Sequence, residues 1–245
     1  MLSLLLNFVL LFKSGNGNWV LDFSDDNDHK NDTNSEFTSA SIDIKDVSPI
    51  FTICSAFMVK RWTPNWFGLA SMVLSLSWSN DGSFLQINLD ANRTDVLLHL
   101  KTESSNGNYN RIGLFPRHWV QICLSIDKLS GSLIIVVDGQ KLNQIWSVGL
   151  SSENKASDMA LSLGSEMNPE NRDILEHSVI LTDINIFSSI LSLEEMYELT
   201  TPGAETCAKK GDLLSWEESR PDWKLFSKAR VLEIDYKDSP CTRVA

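Results

Sequence analysis

Apolar and polar residues alternate along this chain with the period of two that marks a β-strand, and no long stretch keeps the 3.6-residue period of an amphipathic helix. Residues 119–142, WVQICLSIDKLSGSLIIVVDGQKL, show it best. Val120, Ile122, Leu124 and Ile126 alternate with Gln121, Cys123 and Ser125, which predicts a strand with one apolar face. Residues 128–131 supply a turn. Residues 133–137 are then an unbroken, mostly β-branched run, as expected of a strand covered on both faces. Asp138-Gly139 predicts a tight type I′ hairpin, because that turn needs positive φ at both central positions. The centre of the chain is thus an antiparallel meander.

The same pattern predicts strands over 18–23, 41–47, 48–59, 71–78, 83–89, 95–101 and 159–163. Asn80-Asp81-Gly82 is a second hairpin turn, and the stretch through Asn110 reads as a polar loop. Residues 24–37, with Asp25, Asp26, Asp28 and Asp32, read as a solvated loop without the spacing of an EF-hand. Trp62 and Trp66 flank Pro64 as loop aromatics, either packed at an end of the fold or offered to a sugar. Ser192-Leu-Glu-Glu195 is a capping box that opens a helix of about two turns. Thr201-Pro-Gly203 ends it. Many short strands at regular spacing predict an all-β fold, a two-sheet antiparallel sandwich with one short helix near its C-terminal side.

At 245 residues the chain suits one large sandwich. Its formal charge of −11 excludes nucleic acid, whose phosphates need a basic surface. No segment reaches the ~20 apolar residues of a membrane span. Residues 2–12 are an apolar run of signal-peptide length, with Gly15 and Gly17 behind it, although Lys13 follows the run and no basic residue precedes it. The expectation is a signal peptide over 1–17, a domain over 18–240 and a tail over 241–245. Four cysteines without a CxxC pair fit an oxidising compartment. Asn31 and Asn92 stand in glycosylation sequons.

Several stretches resemble the pentraxins and the related laminin-G-like domains of the concanavalin A-like group. They are Phe51-Thr-Ile-Cys54, Trp119-Val-Gln-Ile-Cys123-Leu-Ser125 and Val137-Asp-Gly139. In the same order follow Leu163-Gly-Ser-Glu166, like the start of the pentraxin calcium loop, and Asp183-Ile-Asn-Ile-Phe187, like a late strand. Leu191-Ser-Leu-Glu-Glu195 is similar to the helix after it, and Asp212-Leu-Leu-Ser-Trp216 to a closing strand. The resemblance spans residues 19–235 and departs at Gln121 and Ile126, where the pentraxin signature has histidine and tryptophan. It implies a concanavalin-like jelly roll. Four cysteines allow three connectivities. Two central strands with one mid-strand cysteine each suit a Cys54–Cys123 bridge, which would leave Cys207 to Cys241.

The resemblance also implies calcium, held by Asn80 and Asp81 in one loop and by Glu166 and Asn168 in another. Hard oxygen ligands are what calcium requires. Met167 and Asn168 stand where the family has an amide and a carboxylate, each change removing an oxygen or a charge. Glu170 and Asp173 are available in the same loop. The expectation is weak calcium binding or none.

No GxSxG, HExxH or phosphate-cradling loop is present, and His29, His99, His118 and His177 have no metal-ligand spacing. Glu233-Ile-Asp235 with Asp238 resembles the carboxylate strand of glucanases sharing this jelly roll, but a solvated edge strand is the plainer reading. The expected function is non-enzymatic: a secreted or extracellular recognition module for a carbohydrate, a lipid headgroup or an extracellular protein, with homo-oligomers left open. A structural adhesion module of a larger extracellular protein is the alternative, and a glycan hydrolase the second.

Overall fold

The computed structural model describes residues 19–23, 39–60, 70–79, 83–91, 96–102, 105–111, 117–142, 146–147, 155–164, 179–201, 209–226 and 229–233. Among them run β1 (Trp19–Asp22), β2 (Ser39–Val47), β3 (Ile50–Val59), β4 (Ala70–Trp78), β5 (Phe84–Ala91), β6 (Val96–Thr102), β7 (Ser105–Arg111) and β8 (Trp119–Asp127). There follow β9 (Ser132–Val137), β10 (Gln140–Lys141), β11 (Trp146–Ser147), β12 (Ser157–Gly164), β13 (Val179–Phe187), α1 (Leu193–Thr200), α2 (Trp216–Ser219), β14 (Lys224–Phe226) and β15 (Arg230–Glu233).

All pairings are antiparallel, in two sheets. One sheet, of eight strands, has the order β10-β9-β8-β3-β13-β1-β15, with β11 also on β9. The other, of seven, has the order β14-β2-β12-β4-β5-β6-β7. The chain fills them as its periodicity demands. Ile122, Leu124 and Ile126 of β8, Phe51, Ile53 and Phe57 of β3, Leu161 and Leu163 of β12, and Leu74 and Leu76 of β4 share one buried core between the sheets. This is the two-sheet sandwich that the alternation predicts.

A second, smaller core lies on the opposite side of the eight-stranded sheet. There α1 sets Leu191 and Met196 against Cys54, Cys123, Val136 and Phe187. Strand β9 is therefore covered on both faces, with Leu133, Ile135 and Val137 in the large core and Val136 in the small one, as its unbroken run implies. The capping box forms: the N–H of Glu195 donates to Ser192 Oγ, and the Glu195 carboxylate accepts the Ser192 N–H. Asp138 and Gly139 take φ of 46° and 70°, the positive values a type I′ turn requires.

Three elements differ from the sequence-based expectation. The polar stretch through Asn110 is strand β7, on the edge of the seven-stranded sheet and held by its backbone ladder to β6. An edge strand needs no apolar alternation, so its sequence hides it. The expected closing strand over 212–216 reduces to one bridge, Leu214 to Ile186, before the chain turns into α2. A second short helix thus joins the one expected.

Candidate functional site

Of the site residues expected from sequence, Cys54 and Cys123 come together. They are directly opposite in the β3–β8 ladder, their Cα atoms 4.1 Å apart, and form a disulfide. Cys207, Cys241, Asn31, Asn92 and the calcium-loop residues Asn80, Asp81, Glu166 and Asn168 lie outside the described residues, as do Trp62, Trp66 and residues 1–17. Among the described residues no three His, Cys, Asp or Glu side chains cluster as metal ligands. At the foot of the 80–82 turn the nearby described charge is an ammonium, that of Lys128, 3.4 Å from Ser83 Oγ. Glu233 sits on β15, exposed and 3.5 Å from Arg220; Asp235 and Asp238 lie outside the described residues.

Two places in the fold gather polar side chains. The first is a recess beneath α1, lined by Cys54, Gln121, Asp183, Asn185, Leu199 and Lys209 among others, with about 10 Å³ of space, enough for one water. A bulge in β13 builds it: the register to β3 slips between Thr182 and Asn185, and Asp183 takes φ of 54°. The slip is visible in the sequence once sought. Buried apolar positions run Val179, Leu181, then Ile184, Ile186, one residue out of phase. Asn185 uses its whole amide there. Its Nδ2 donates to Asp183 Oδ1 at 2.9 Å, and its Oδ1 accepts from the N–H groups of Gly211 and Trp216 at 3.2 and 3.3 Å. Burial pushes the Asp183 carboxyl up to about 6, the Asn185 hydrogen bond opposing and the charge of Glu217 adding to the shift. The residue as a whole is partly exposed; its carboxyl is the deep part.

Gln121, where the pentraxin signature has histidine, joins this recess to the helix. With its amide nitrogen turned toward α1 it donates to the carbonyls of Leu199 and Thr200 at 3.2 and 3.3 Å. These belong to the last turn, whose carbonyls have no partner within the helix. Its backbone N–H donates to Asp138 Oδ1 at 2.8 Å, and the N–H of Gly139 donates to Thr200 Oγ1 at 3.1 Å. The hairpin turn, the disulfide strand and the helix end therefore form one hydrogen-bonded block. Thr52 secures the other end of α1, donating to the Ser189 carbonyl at 2.9 Å and accepting from the Leu191 N–H at 3.0 Å.

The second place is the outer face of the seven-stranded sheet. The ladder registers put Ser41 opposite Ser162, Ser162 opposite Ser75, and Ser75 opposite Gln86. Ladder spacing sets these side chains about 4.8 Å apart in a row across four strands. Beside it run Asp43, Ala160, Ser77 and Phe84. Two ion pairs are described on this face, Lys224 with Asp43 at 2.7 Å and Lys45 with Asp158 at 2.5 Å. Each lysine holds its carboxylate below the usual carboxylate range. Among the described residues nothing engages the hydroxyls of Ser41, Ser75 and Ser162, so the face offers a row of hydroxyls.

This architecture is shared with known structures. A native heptameric SAP-like pentraxin from Limulus polyphemus superposes with a TM-score of 0.63 at 15% identity, over 87% of this chain and 94% of that one. The full extracellular region of zebrafish Gpr126/Adgrg6 does so with a TM-score of 0.54 at 13% identity; 89% of this chain matches 26% of the receptor chain. A Trypanosoma rangeli sialidase bound to 2,3-difluorosialic acid reaches only 0.46 at 14% identity, over 62% of this chain and 23% of that one, too slight to carry an argument. No family model matches the chain, and no curated protein does. At such identities the likeness establishes the fold: a jelly-roll sandwich of the kind seen in a pentraxin.

Proposed function

We propose that this chain is a recognition module working outside the cytosol, and that it binds a carbohydrate on the outer face of its seven-stranded sheet without calcium. One observation carries the reading, the row Ser41–Ser162–Ser75–Gln86 across four strands. Hydroxyls and an amide at regular spacing suit the hydroxyls of a neutral glycan. The opposite side of the molecule is less available, because α1 covers the middle of the eight-stranded sheet there. The Cys54–Cys123 disulfide supports an oxidising compartment. No helix among the described residues is long and apolar enough to cross a membrane.

A glycan array probed with and without chelator tests this, paired with Ser162→Glu. That residue is partly exposed, so the added carboxylate leaves the core intact while blocking the row. Binding that survives chelation and falls at least about tenfold in the variant is the expected result, as for a central polar contact made unfavourable. The second reading, an adhesion module without a small ligand, draws on the likeness to a receptor extracellular region; it predicts a blank array. Release of reducing sugar, abolished by Glu233→Gln, would instead establish the hydrolase.

A further inference from the structure

The fold requires a chemically labile pair of residues and then restrains it. Asp138 and Gly139 make the turn from β9 to β10, with φ of 46° and 70°. Position 139 suits glycine alone. Its backbone is left-handed, and a Cβ there would meet Thr201 Oγ1 at 2.8 Å, where the end of α1 lies against the turn. Aspartate followed by glycine is open to attack from within the chain, since glycine has no side chain to shield its nitrogen.

The attack is a cyclisation. The Gly139 nitrogen bonds to Cγ of Asp138 as the Cγ–OH bond breaks, and the hydroxyl leaves as water with the Gly139 amide proton. Water then reopens the succinimide ring at one of its two carbonyls. Opening at Cγ restores aspartate. Opening at the main-chain carbonyl leaves the chain running through Cβ and Cγ, which is an isoaspartate of unchanged mass. Neither oxidant nor cofactor is needed. Burial raises the Asp138 carboxyl, against the hydrogen bond from the Gln121 backbone, and so favours the neutral acid from which a hydroxyl can leave.

In the fold, the two groups that must meet are tied to different elements. Asp138 Oδ1 accepts the Gln121 N–H of β8 at 2.8 Å. The Gly139 N–H donates to Oγ1 of the fully buried Thr200 at 3.1 Å. That hydroxyl donates in turn to the Met196 carbonyl at 2.8 Å, so its lone pairs are what it offers Gly139. The Asp138 N–H completes the set on the Gln121 carbonyl at 2.9 Å. We infer that Asp138 is an isoaspartate-forming modification site guarded by the last turn of α1, and that it converts when that turn comes away from the hairpin. Isoaspartate lengthens a two-residue turn by one backbone atom, which moves Gly139 off Thr200 and loosens the helix end from the sheet.

Ageing of the whole chain at neutral pH in heavy-oxygen water tests this, because each ring opening leaves one heavy oxygen at residue 138. Fragmentation mass spectrometry then separates aspartate from isoaspartate. A synthetic peptide of residues 133–142 gives the unguarded rate. Wild type is expected to convert at least about tenfold more slowly than the peptide, the worth of roughly two hydrogen bonds. Thr200→Val keeps the shape and removes the acceptor; it is expected to convert about fivefold faster than wild type, the worth of one. Thr200→Ser keeps the hydroxyl and should stay at the wild-type rate. Wild type converting as fast as the peptide overturns the inference by itself, even should Thr200→Val fail to fold, and so does a peptide that forms no isoaspartate. A folded Thr200→Val that converts no faster than wild type overturns it as well. An equal gain in Thr200→Ser would do the same, by tracing the effect to packing instead of the hydroxyl.

Discussion

Asp183 stands at a position where backbone and ionisation pull the same way. Its left-handed φ of 54° turns the carboxyl inward at the β13 bulge, where burial raises it to about 6. A carboxyl raised above its unfolded value is more readily protonated in the fold. Its contribution is therefore fully present below about pH 4 and lost as pH rises through about 6. Asp183→Asn should remove that loss, since asparagine is neutral, tolerates the left-handed region and can still accept from Asn185. We expect it to stabilise the protein by on the order of 2 kcal/mol at pH 7.5 and by little at pH 4.5, checked by urea melts at both values. Asp22 is the opposite case, a buried carboxylate kept charged. It lies 2.9 Å from Lys60 and 3.0 Å from Arg230, fastening β1 to the end of β3 and to β15. Asp22→Ala should cost about 3 kcal/mol, the low end for a broken buried pair because both cations reach solvent. Denaturant unfolding measures it, and a loss under about 1 kcal/mol would show that the pair is not structural.

At the scale of elements, the segment after α1 depends on a close approach. Gly211 passes so near β13 that a Cβ there would meet the Leu214 carbonyl oxygen at 2.2 Å and the Ile186 carbonyl oxygen at 2.4 Å. Both are backbone atoms and cannot step aside. Gly211→Ala should therefore cost roughly 3 kcal/mol and loosen the stacked pair Trp19–Trp216, whose rings are 3.6 Å apart. Tryptophan fluorescence and a melt read both effects. This region also marks where the sequence stops being legible. The β8–β9 meander, the Asp138-Gly139 turn and the capping box are local, each specified by residues within a few positions, and they could be read directly. The Asn185 amide that bends 211–216 out of a strand acts across 26 and 31 residues, with no local signal. Strand β7 was hidden because its pairing is all backbone. The site suffered likewise: the row of hydroxyls exists only through the registers of β2, β12, β4 and β5, and no single stretch shows it.

At the scale of the whole molecule, the Cys54–Cys123 disulfide does more than join two neighbours. The strands it bridges are already paired over nine residue pairs from Ile50–Asp127 to Met58–Trp119, so in the native state the bond adds little geometry. Its effect falls on the unfolded chain. The cysteines are 69 positions apart, and the chain between them contains β4, β5, β6 and β7, four strands of the other sheet. Closing that loop restricts the part of the chain that must fold back across the core before either sheet is buried. In the chain-entropy model a loop of that length contributes about 4 kcal/mol. The double variant Cys54→Ala, Cys123→Ala also leaves space in the small core under α1, where Met196 and Phe187 can relax only in part. It should still fold, because the large core between the sheets is untouched, but melt about 10 to 15 °C lower. Differential scanning calorimetry of wild type and variant under non-reducing conditions decides it. A drop confined to a few degrees would mean that the denatured chain is already compact across those four strands. Loss of all cooperative unfolding would mean that the two cores are one, and that α1 is as central to the sandwich as the sheets.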